Sequence, residues 1–203
     1  MRRALLLIAL LATACGHSEP TRFYTLAPKA ASNRTSYTGA PVRLEAVHLP
    51  PSVAGHRILH GSNDHEVTIS SLERWTDELD FLMRQTLAQN LVTRLPQGVV
   101  VFPDAPRPRG SLAWVVDVLT LREVSGKLEC EASWSLMASD LPRAIERRQA
   151  SYSAVVDGSG ASTSEALSRI TAELADAMAA SLSEAASVLA STRSPSASVP
   201  PAP

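Results

Sequence analysis

The residue whose surroundings point most directly to chemistry is Cys15, close to the N-terminus. Residues 2–3 are a pair of arginines, residues 4–12 are an uncharged and mostly aliphatic run, and residues 13–14 are small. A basic region, an apolar run and small residues, in this order, are the layout of a secretory signal peptide. The apolar run is shorter than the about 20 residues that a membrane span needs. The pattern therefore predicts a signal peptide over residues 1–14.

The sequence LATAC at residues 11–15 resembles a bacterial lipobox. In lipobox chemistry the thiol takes a diacylglycerol, the chain is cleaved before the cysteine, and the freed amine is acylated. Leucine usually stands three residues before the cysteine, whereas here Ala12 holds that place and Leu11 lies one residue earlier. The alternative is a plain signal peptide beside an incidental cysteine. Lipidation of Cys15 is favoured, because each buried acyl CH₂ adds about 0.8 kcal/mol of membrane affinity and a linker follows.

The residues after Cys15 are interpreted as a lipidated N-terminus and tether over residues 15–40. Gly16 stands where an aspartate favours inner-membrane retention in enteric bacteria, so it favours the outer membrane. The tether is polar and irregular apart from one short extended piece, FYTL at residues 23–26. The tail, residues 191–203, is rich in Pro, Ser and Ala and cannot bury enough apolar surface to fold, so it is predicted to be disordered.

The second cysteine, Cys130, has no partner within the chain if Cys15 carries lipid. It lies in an alternating segment, residues 128–136, which places it on the same face as Leu128, Trp134 and Leu136. A buried small hydrophobe is therefore favoured over a reactive thiol. The fold must then rest on its hydrophobic core rather than on a disulfide.

Catalytic and metal-binding patterns are weak elsewhere. The segment DGSG at residues 157–160 lacks the glycines two before and two after the serine that a nucleophile elbow requires, so it is interpreted as a flexible loop. His48, His56, His60 and His65 fall in one stretch, but the prolines and glycines around them argue against a helix that would align them. They are predicted to be solvated loop histidines, because zinc needs three or four converging ligands. No cofactor and no enzymatic activity are expected.

Two further groups are interpreted as structural. Trp75, Trp114 and Trp134 lie on an apolar stripe or in alternating strands, which favours the core over a ligand-stacking surface. The basic residues of segment 143–148 favour a solvated strand edge, protected from aggregation by its charge, over a lipid headgroup site. The net charge of −1 and the absence of a basic stripe make nucleic acid an unlikely partner.

The remaining residues 41–190 fit one domain with two main helices. The first is predicted over residues 76–95, with Thr76 as its cap and Trp75, Leu79, Leu82, Met83, Leu87 and Leu91 as its apolar stripe. The second is predicted over residues 164–190, after a capping box at residues 162–165. Its alanine-rich flanks would permit close packing on a sheet or on a second copy of the chain, so a homo-oligomer is possible.

Strands are predicted over residues 42–47, 57–60, 66–69, 99–102, 112–121, 128–137 and 145–156. The last three are joined by short turns, including SGK at residues 125–127, a hairpin signal. The predicted fold class is α+β: a single domain in which a largely antiparallel or mixed sheet packs with two main helices.

The order of these motifs resembles a known family. The lipobox is followed by eight short motifs, each weak alone: FYTL (residues 23–26), VHLP (47–50), RI (57–58), RWTDEL (74–79), LAQNL (87–91), VDV (116–118), GKL (126–128) and ASW (132–134). Their succession is similar to that of the PqiC family, the ABC-type transport auxiliary lipoproteins, up to about residue 190. The loop at residues 51–56 departs from the family by lacking a tyrosine-leucine-aspartate, and the tail is extra.

The resemblance implies an outer-membrane lipoprotein on the periplasmic side of a diderm bacterium. It implies a compact α/β sandwich and a partner that contains MCE domains, in a system that moves lipids between the membranes and supports envelope integrity. The role implied is docking, with the membrane contacted through the lipid anchor.

Two other classes of function stay open at this point. A structural envelope lipoprotein, which assists assembly or binds the cell wall, would suit the anchor and the tether equally well. A periplasmic enzyme is disfavoured, because no nucleophile, base and oxyanion donor are positioned together in the sequence.

Overall fold

The strands of the protein divide between two sheets. The structure, a computed structural model, describes residues 19–31, 33–63, 66–138 and 144–192. A three-stranded sheet contains β1 (Arg22–Tyr24), β4 (Glu66–Trp75) and β3 (Arg57–Asn63), in that order. A five-stranded sheet contains β5 (Val100–Val101), β2 (Val42–His48), β6 (Leu112–Val124), β7 (Lys127–Ala138) and β8 (Ala144–Val155), in that order.

Two helices, α1 (Leu79–Arg94) and α2 (Gly160–Thr192), pack against each other and against the larger sheet. α2 contacts β7 and β8, whereas α1 contacts β2 and β5. The pairs β2–β5, β2–β6 and β1–β4 are parallel, and the other pairs are antiparallel. The predicted α+β class, with a mixed sheet and two main helices in a single domain, is confirmed. Neither helix combines the length and the hydrophobicity that a membrane span requires, as far as the described residues go.

The hairpin β6–β7 forms the centre of the larger sheet. Ser125 and Gly126 join its strands with φ angles of 51° and 73°, the positive values of a two-residue turn that follows the strand twist. Alternate residues of β7, on which α2 packs, are buried: Leu128, Cys130, Ala132, Trp134 and Leu136. The alternation predicted for this segment is confirmed, because one face of β7 packs in the core while the other carries polar side chains.

The start of α1 differs from the prediction. The helix begins at Leu79, because the Thr76 N–H donates to the Tyr24 carbonyl and thereby extends the β1–β4 pairing past Trp75. The Leu79 N–H is satisfied by the Gly55 carbonyl at 3.2 Å rather than by a side-chain cap. Thr76 is therefore not the cap, and Trp75 ends β4 instead of belonging to the stripe of the helix. β4 is accordingly longer than the strand predicted over residues 66–69.

The start of α2 also differs, because Ser159 rather than the predicted box at residues 162–165 caps the helix. The Ser162 N–H donates to Ser159 Oγ at 3.2 Å, and Ser159 Oγ in turn donates to Asp157 Oδ1 at 2.6 Å. The helix begins at Gly160 and continues to Thr192, so Ser191 and Thr192 of the predicted tail are helical. The rest of the tail lies outside the described residues.

The segment from Glu19 to Ala40 lies on the domain instead of extending away from it. β1 pairs with β4, and Leu26 and Tyr37 are buried in the core. Backbone N–H groups of the segment donate to side chains of both helices: Ala27 to Ser168 Oγ at 3.0 Å and Lys29 to Asn90 Oδ1 at 2.7 Å. The prediction of a tether up to residue 40 is therefore wrong from Arg22 onward. The short extended piece predicted at residues 23–26 is present, as β1.

Candidate functional site

The small sheet meets the large one where β3 crosses the end of β6. At Gly61 a Cβ atom would lie 1.9 Å from the Glu123 carbonyl oxygen, so only glycine allows the two strands to approach this closely. The contact fixes the small sheet over the β6–β7 hairpin and leaves an open space beside it.

Replacing Gly61 with alanine should destabilise the protein by about 1–3 kcal/mol, the usual cost of forcing extra atoms into a packed contact. The partner is a backbone carbonyl, which cannot rotate away as a side chain can, so β3 itself must shift. Urea unfolding followed by circular dichroism measures the change. An unchanged unfolding midpoint would show that β3 does not approach β6 as described.

The space beside this contact is a cavity of about 360 Å³. Its lining comes from β3, β4, the β6–β7 hairpin and the first turns of both helices. Four buried apolar side chains form its floor: Trp75, Leu79, Leu128 and Leu167. The exposed side chains Val67, Ile69, Arg57 and Arg122 form its mouth. The cavity is therefore apolar inside and charged at its mouth.

A polar cluster ties the wall of the cavity to the rest of the fold. His60 Nε2 lies 3.2 Å from Glu73 Oε2, and His60 Nδ1 lies 3.3 Å from Glu123 Oε2. The Tyr24 hydroxyl and the Gly160 N–H donate to Glu73 Oε1 at 3.1 Å and 3.2 Å. The cluster thereby joins β1, β3, β4, β6 and the N-terminus of α2. Both imidazole nitrogens can donate to the two carboxylates only when the ring is protonated.

Burial raises the pKa of the Glu73 carboxyl, but the hydrogen bonds from His60, Gly160 and Tyr24 outweigh burial and hold the pKa below the ordinary value of a glutamate. A carboxyl whose pKa is lower in the folded than in the unfolded protein stabilises the fold above the unfolded pKa. That stability is lost as the pH falls through the folded value. Glu73 is therefore a structural anion at neutral pH.

The variant Glu73→Gln should be less stable than the wild type at pH 7, and the difference should shrink as the pH falls below about 4.5. Urea unfolding at several pH values between 7 and 3 measures both effects. Glu165→Gln is the matched control, because Glu165 forms an exposed ion pair with Lys29, and such pairs contribute about 0–1 kcal/mol. A difference that stays constant down to pH 3 would contradict the assignment.

The arrangement around His60 lacks the parts of a nucleophilic site. The described hydrogen-bond partners of its ring are two carboxylates, so it activates no described hydroxyl or thiol. No group of three or more His, Cys, Asp or Glu side chains within the described ranges could hold a metal ion. What the site offers instead is apolar space behind a charged mouth.

The four histidines predicted as solvated loop residues differ in their positions and in their exposure. His56 is exposed in the connection between β2 and β3, as predicted. The prediction for His60 is wrong, because this residue lies in β3 and is mostly buried between two carboxylates. His48 ends β2 and lies 2.8 Å from Asp117. His65 lies outside the described residues.

Most of the other residues singled out in the sequence lie where they were predicted to lie. Cys130 is 2% exposed, and burial raises the pKa of its thiol to about 12, which confirms an inert core residue. The three tryptophans are buried, as predicted. Arg147 and Arg148 are exposed on β8, an edge strand, as predicted, whereas Arg143 lies outside the described residues. The signal peptide and Cys15 also lie outside them.

The cavity is the feature that the sequence did not reveal. Its best sequence signal was the alternation of Val67 and Ile69 in β4, two apolar side chains that are 60% and 48% exposed. A short strand that alternates in this way predicts one apolar face, but the residues opposite that face come from β6, β7 and α2, which are distant in sequence.

A family model described as "ABC-type transport auxiliary lipoprotein component" matches residues 24–179, which include the five-stranded sheet, β3, β4, α1 and most of α2. The chain belongs to this family. The match begins at Tyr24, the last residue of β1, and includes the packed segment that follows it, so this segment is part of the family domain. This is a family of transport auxiliary lipoproteins, not of enzymes.

Named relatives agree with the family match. The chain is 32% identical over 133 residues to the intermembrane transport lipoprotein PqiC of Escherichia coli K12, which covers 64% of this chain and 68% of the relative. The PqiC of Shigella flexneri matches with the same identity and coverage. The resemblance found in the sequence motifs is thereby confirmed.

Two crystal structures share the fold of this family member. A protein from Xanthomonas campestris superposes with a TM-score of 0.66 at 10% identity, covering 84% of this chain and 99% of that one. An uncharacterized protein superposes with a TM-score of 0.61 at 19% identity, covering 82% of this chain and 98% of that one. At these identities the likeness concerns the fold alone.

Proposed function

We propose that the protein is an outer-membrane-anchored periplasmic lipoprotein that acts as the docking subunit of an MCE-type intermembrane lipid transport system. The observation that carries the proposal is the family match over residues 24–179, since it includes nearly all of the described fold. The curated relatives are named as intermembrane transport lipoproteins, and this chain shares about a third of its aligned residues with them.

The anchor in this proposal is Cys15, which would carry diacylglycerol and an amide-linked acyl chain. Only six residues lie between Cys15 and the first residue of β1, Arg22, which makes seven Cα–Cα steps. At 3.3–3.6 Å per residue, this link would span at most about 25 Å. The domain would therefore stay close to the membrane surface, within reach of a partner that ends there.

A docking role is supported by how the charged groups of the site are used. His60, Glu73 and Glu123 hold three strands together, so the most conspicuous titratable groups serve the fold. The large sheet carries further exposed polar pairs away from the cavity, such as His48 with Asp117 at 2.8 Å and Gln149 with Glu131 at 2.6 Å. A polar face of this kind suits a reversible contact with another periplasmic protein.

The alternative is a structural envelope lipoprotein that binds the cell wall, and a paired experiment separates the two. The gene that encodes the chain is deleted, and the transfer of radiolabelled phospholipid between the two membranes is compared with that in the wild type. Binding of the purified protein to isolated peptidoglycan is measured in parallel. The proposal expects altered phospholipid transfer and no retention on peptidoglycan. Unaltered transfer together with retention on peptidoglycan would overturn it.

A further inference from the structure

The lining of the cavity between the two sheets is mostly apolar, and apart from the two arginines its polar side chains are Ser52, Glu123 and Thr163. Its floor is formed by Trp75, Leu79, Leu128 and Leu167, and Leu59 and Leu121 continue it towards the mouth. A peptide bound there would bury backbone amides without partners, at a cost in free energy. An acyl chain carries no such groups, so its entry leaves no polar group of the ligand unpaired. Its volume of about 360 Å³ lies at the lower end of the range for small-molecule sites, which suits one chain.

The mouth of the cavity carries positive charge. The Arg57 side chain is exposed and makes no hydrogen bond or ion pair with any residue that the structure describes. Arg122 also lies at the mouth, where its Nη2 is 3.0 Å from Glu129. The carboxylate of the lining residue Glu123 is held by His60 at 3.3 Å. An anionic group at the mouth would therefore meet the Arg57 guanidinium without displacing a described partner.

We propose that this cavity binds one acyl chain of an anionic phospholipid, with Arg57 at the mouth contacting the phosphate of the headgroup. The exposed apolar side chains Val67 and Ile69 border the mouth, where they would cover the part of the chain that emerges. Guanidinium groups suit phosphate, because their N–H donors match its oxygens in pairs. The headgroup and the second chain would remain outside.

The inference deepens the proposed function, since it gives a lipid-contacting site to a subunit proposed to act in lipid transport. Binding by the protein alone needs no partner, so it can be tested even if the MCE partner is never found. Failure of the cavity proposal would likewise leave docking intact.

The test uses the mature protein purified from cells and mixed with phosphatidylcholine vesicles. The vesicles contain a small fraction of phosphatidylglycerol with a diazirine on one acyl chain, and a parallel sample contains diazirine-labelled phosphatidylcholine. After irradiation, the adducts are mapped by peptide mass spectrometry. We expect adducts on β3, β4 and the β6–β7 hairpin, with a higher yield for phosphatidylglycerol.

Two matched pairs of variants locate the site. Val67→Trp should block the mouth and lower the adduct yield about tenfold. Val155→Trp changes another exposed strand valine, which lies outside the cavity, and should leave the yield unchanged. Arg57→Glu should remove the preference for phosphatidylglycerol, whereas Arg34→Glu, on an exposed residue away from the cavity, should preserve it. Circular dichroism verifies that each variant is folded.

Adducts confined to other surfaces, or an undiminished yield in folded Val67→Trp, would overturn the acyl-chain site. Equal yields for the two lipids in the wild type would overturn the role of Arg57. Displacement of the label by an apolar peptide but not by unlabelled phosphatidylglycerol would also overturn the proposal and make the cavity a peptide site.

Discussion

Replacing Cys15 with serine should abolish the incorporation of palmitate and remove the protein from the outer-membrane fraction. The serine hydroxyl cannot form the thioether that carries the diacylglycerol, and each acyl CH₂ removed forfeits about 0.8 kcal/mol of membrane affinity. Neither described helix could replace the anchor as a span. Fractionation of cells, followed by immunoblotting and by metabolic labelling with palmitate, measures the change.

The control for this experiment is the other cysteine. Cys130→Ala removes a thiol that is buried in the core, so the protein should stay in the membrane fraction and keep its palmitate label. A Cys15→Ser protein that still sediments with the outer membrane and still incorporates palmitate would contradict the anchor.

Replacing Arg94 with methionine should cost about 3 kcal/mol or more of stability, since hydrogen bonds to charged groups contribute about 1.5–3 kcal/mol each. The side chain of Arg94 is buried at the end of α1. It donates to both carboxylate oxygens of Asp176 on α2, at 2.6 Å and 3.1 Å, and to the Lys29 carbonyl at 2.9 Å. One guanidinium thus holds together both helices and the N-terminal segment. In a protein of this size the loss should lower the melting temperature by roughly 6–12 °C.

Arg169→Met on α2 is the matched control. Arg169 is exposed and makes no ion pair within the described part of the chain, so its loss should change the stability by less than about 0.5 kcal/mol. Scanning calorimetry of the two variants provides the comparison. Equal melting temperatures for Arg94→Met and the wild type would mean that the N-terminal segment is not held in place by Arg94.

The sequence-based prediction was most reliable for elements that bury only one of their faces. β7 packs one face on α2 while its other face carries polar groups, and this produces the alternation that predicted the strand and buried Cys130. The α1 stripe was found for the same reason, because Leu79, Leu82 and Leu87 all face the core. In these elements the local sequence pattern therefore reflects which face of the element is buried.

The predicted helix boundaries were wrong where the same residues were compatible with two different local structures. Trp75 and Thr76 fit the start of an amphipathic helix as well as they fit the end of a strand. The hydrogen bond between the Thr76 N–H and the Tyr24 carbonyl decides in favour of the strand, and it joins residues that are far apart in sequence. Residues 162–165 likewise fit a capping box, but Ser159 begins the helix one turn earlier.

The N-terminal segment and the cavity could not be predicted because their contacts are long-range. Lys29 binds Asn90, and Ala27 binds Ser168, although the segment itself has no periodic apolar pattern. The cavity depends on the passage of β3 over β6 at Gly61, and a single glycine in the sequence does not identify its partner strand. Exposed Val67 and Ile69 in β4 were the only local sign of that site.

We propose that this lipoprotein docks onto an MCE-domain protein. The most direct measurement is co-purification of the affinity-tagged, full-length protein from cross-linked cell envelopes, with its partners identified by mass spectrometry and the untagged strain as background. We expect an MCE-domain protein to be enriched with the wild type and with the control Cys130→Ala. Recovery of cross-linked envelope proteins without any MCE-domain protein would contradict the proposed docking role.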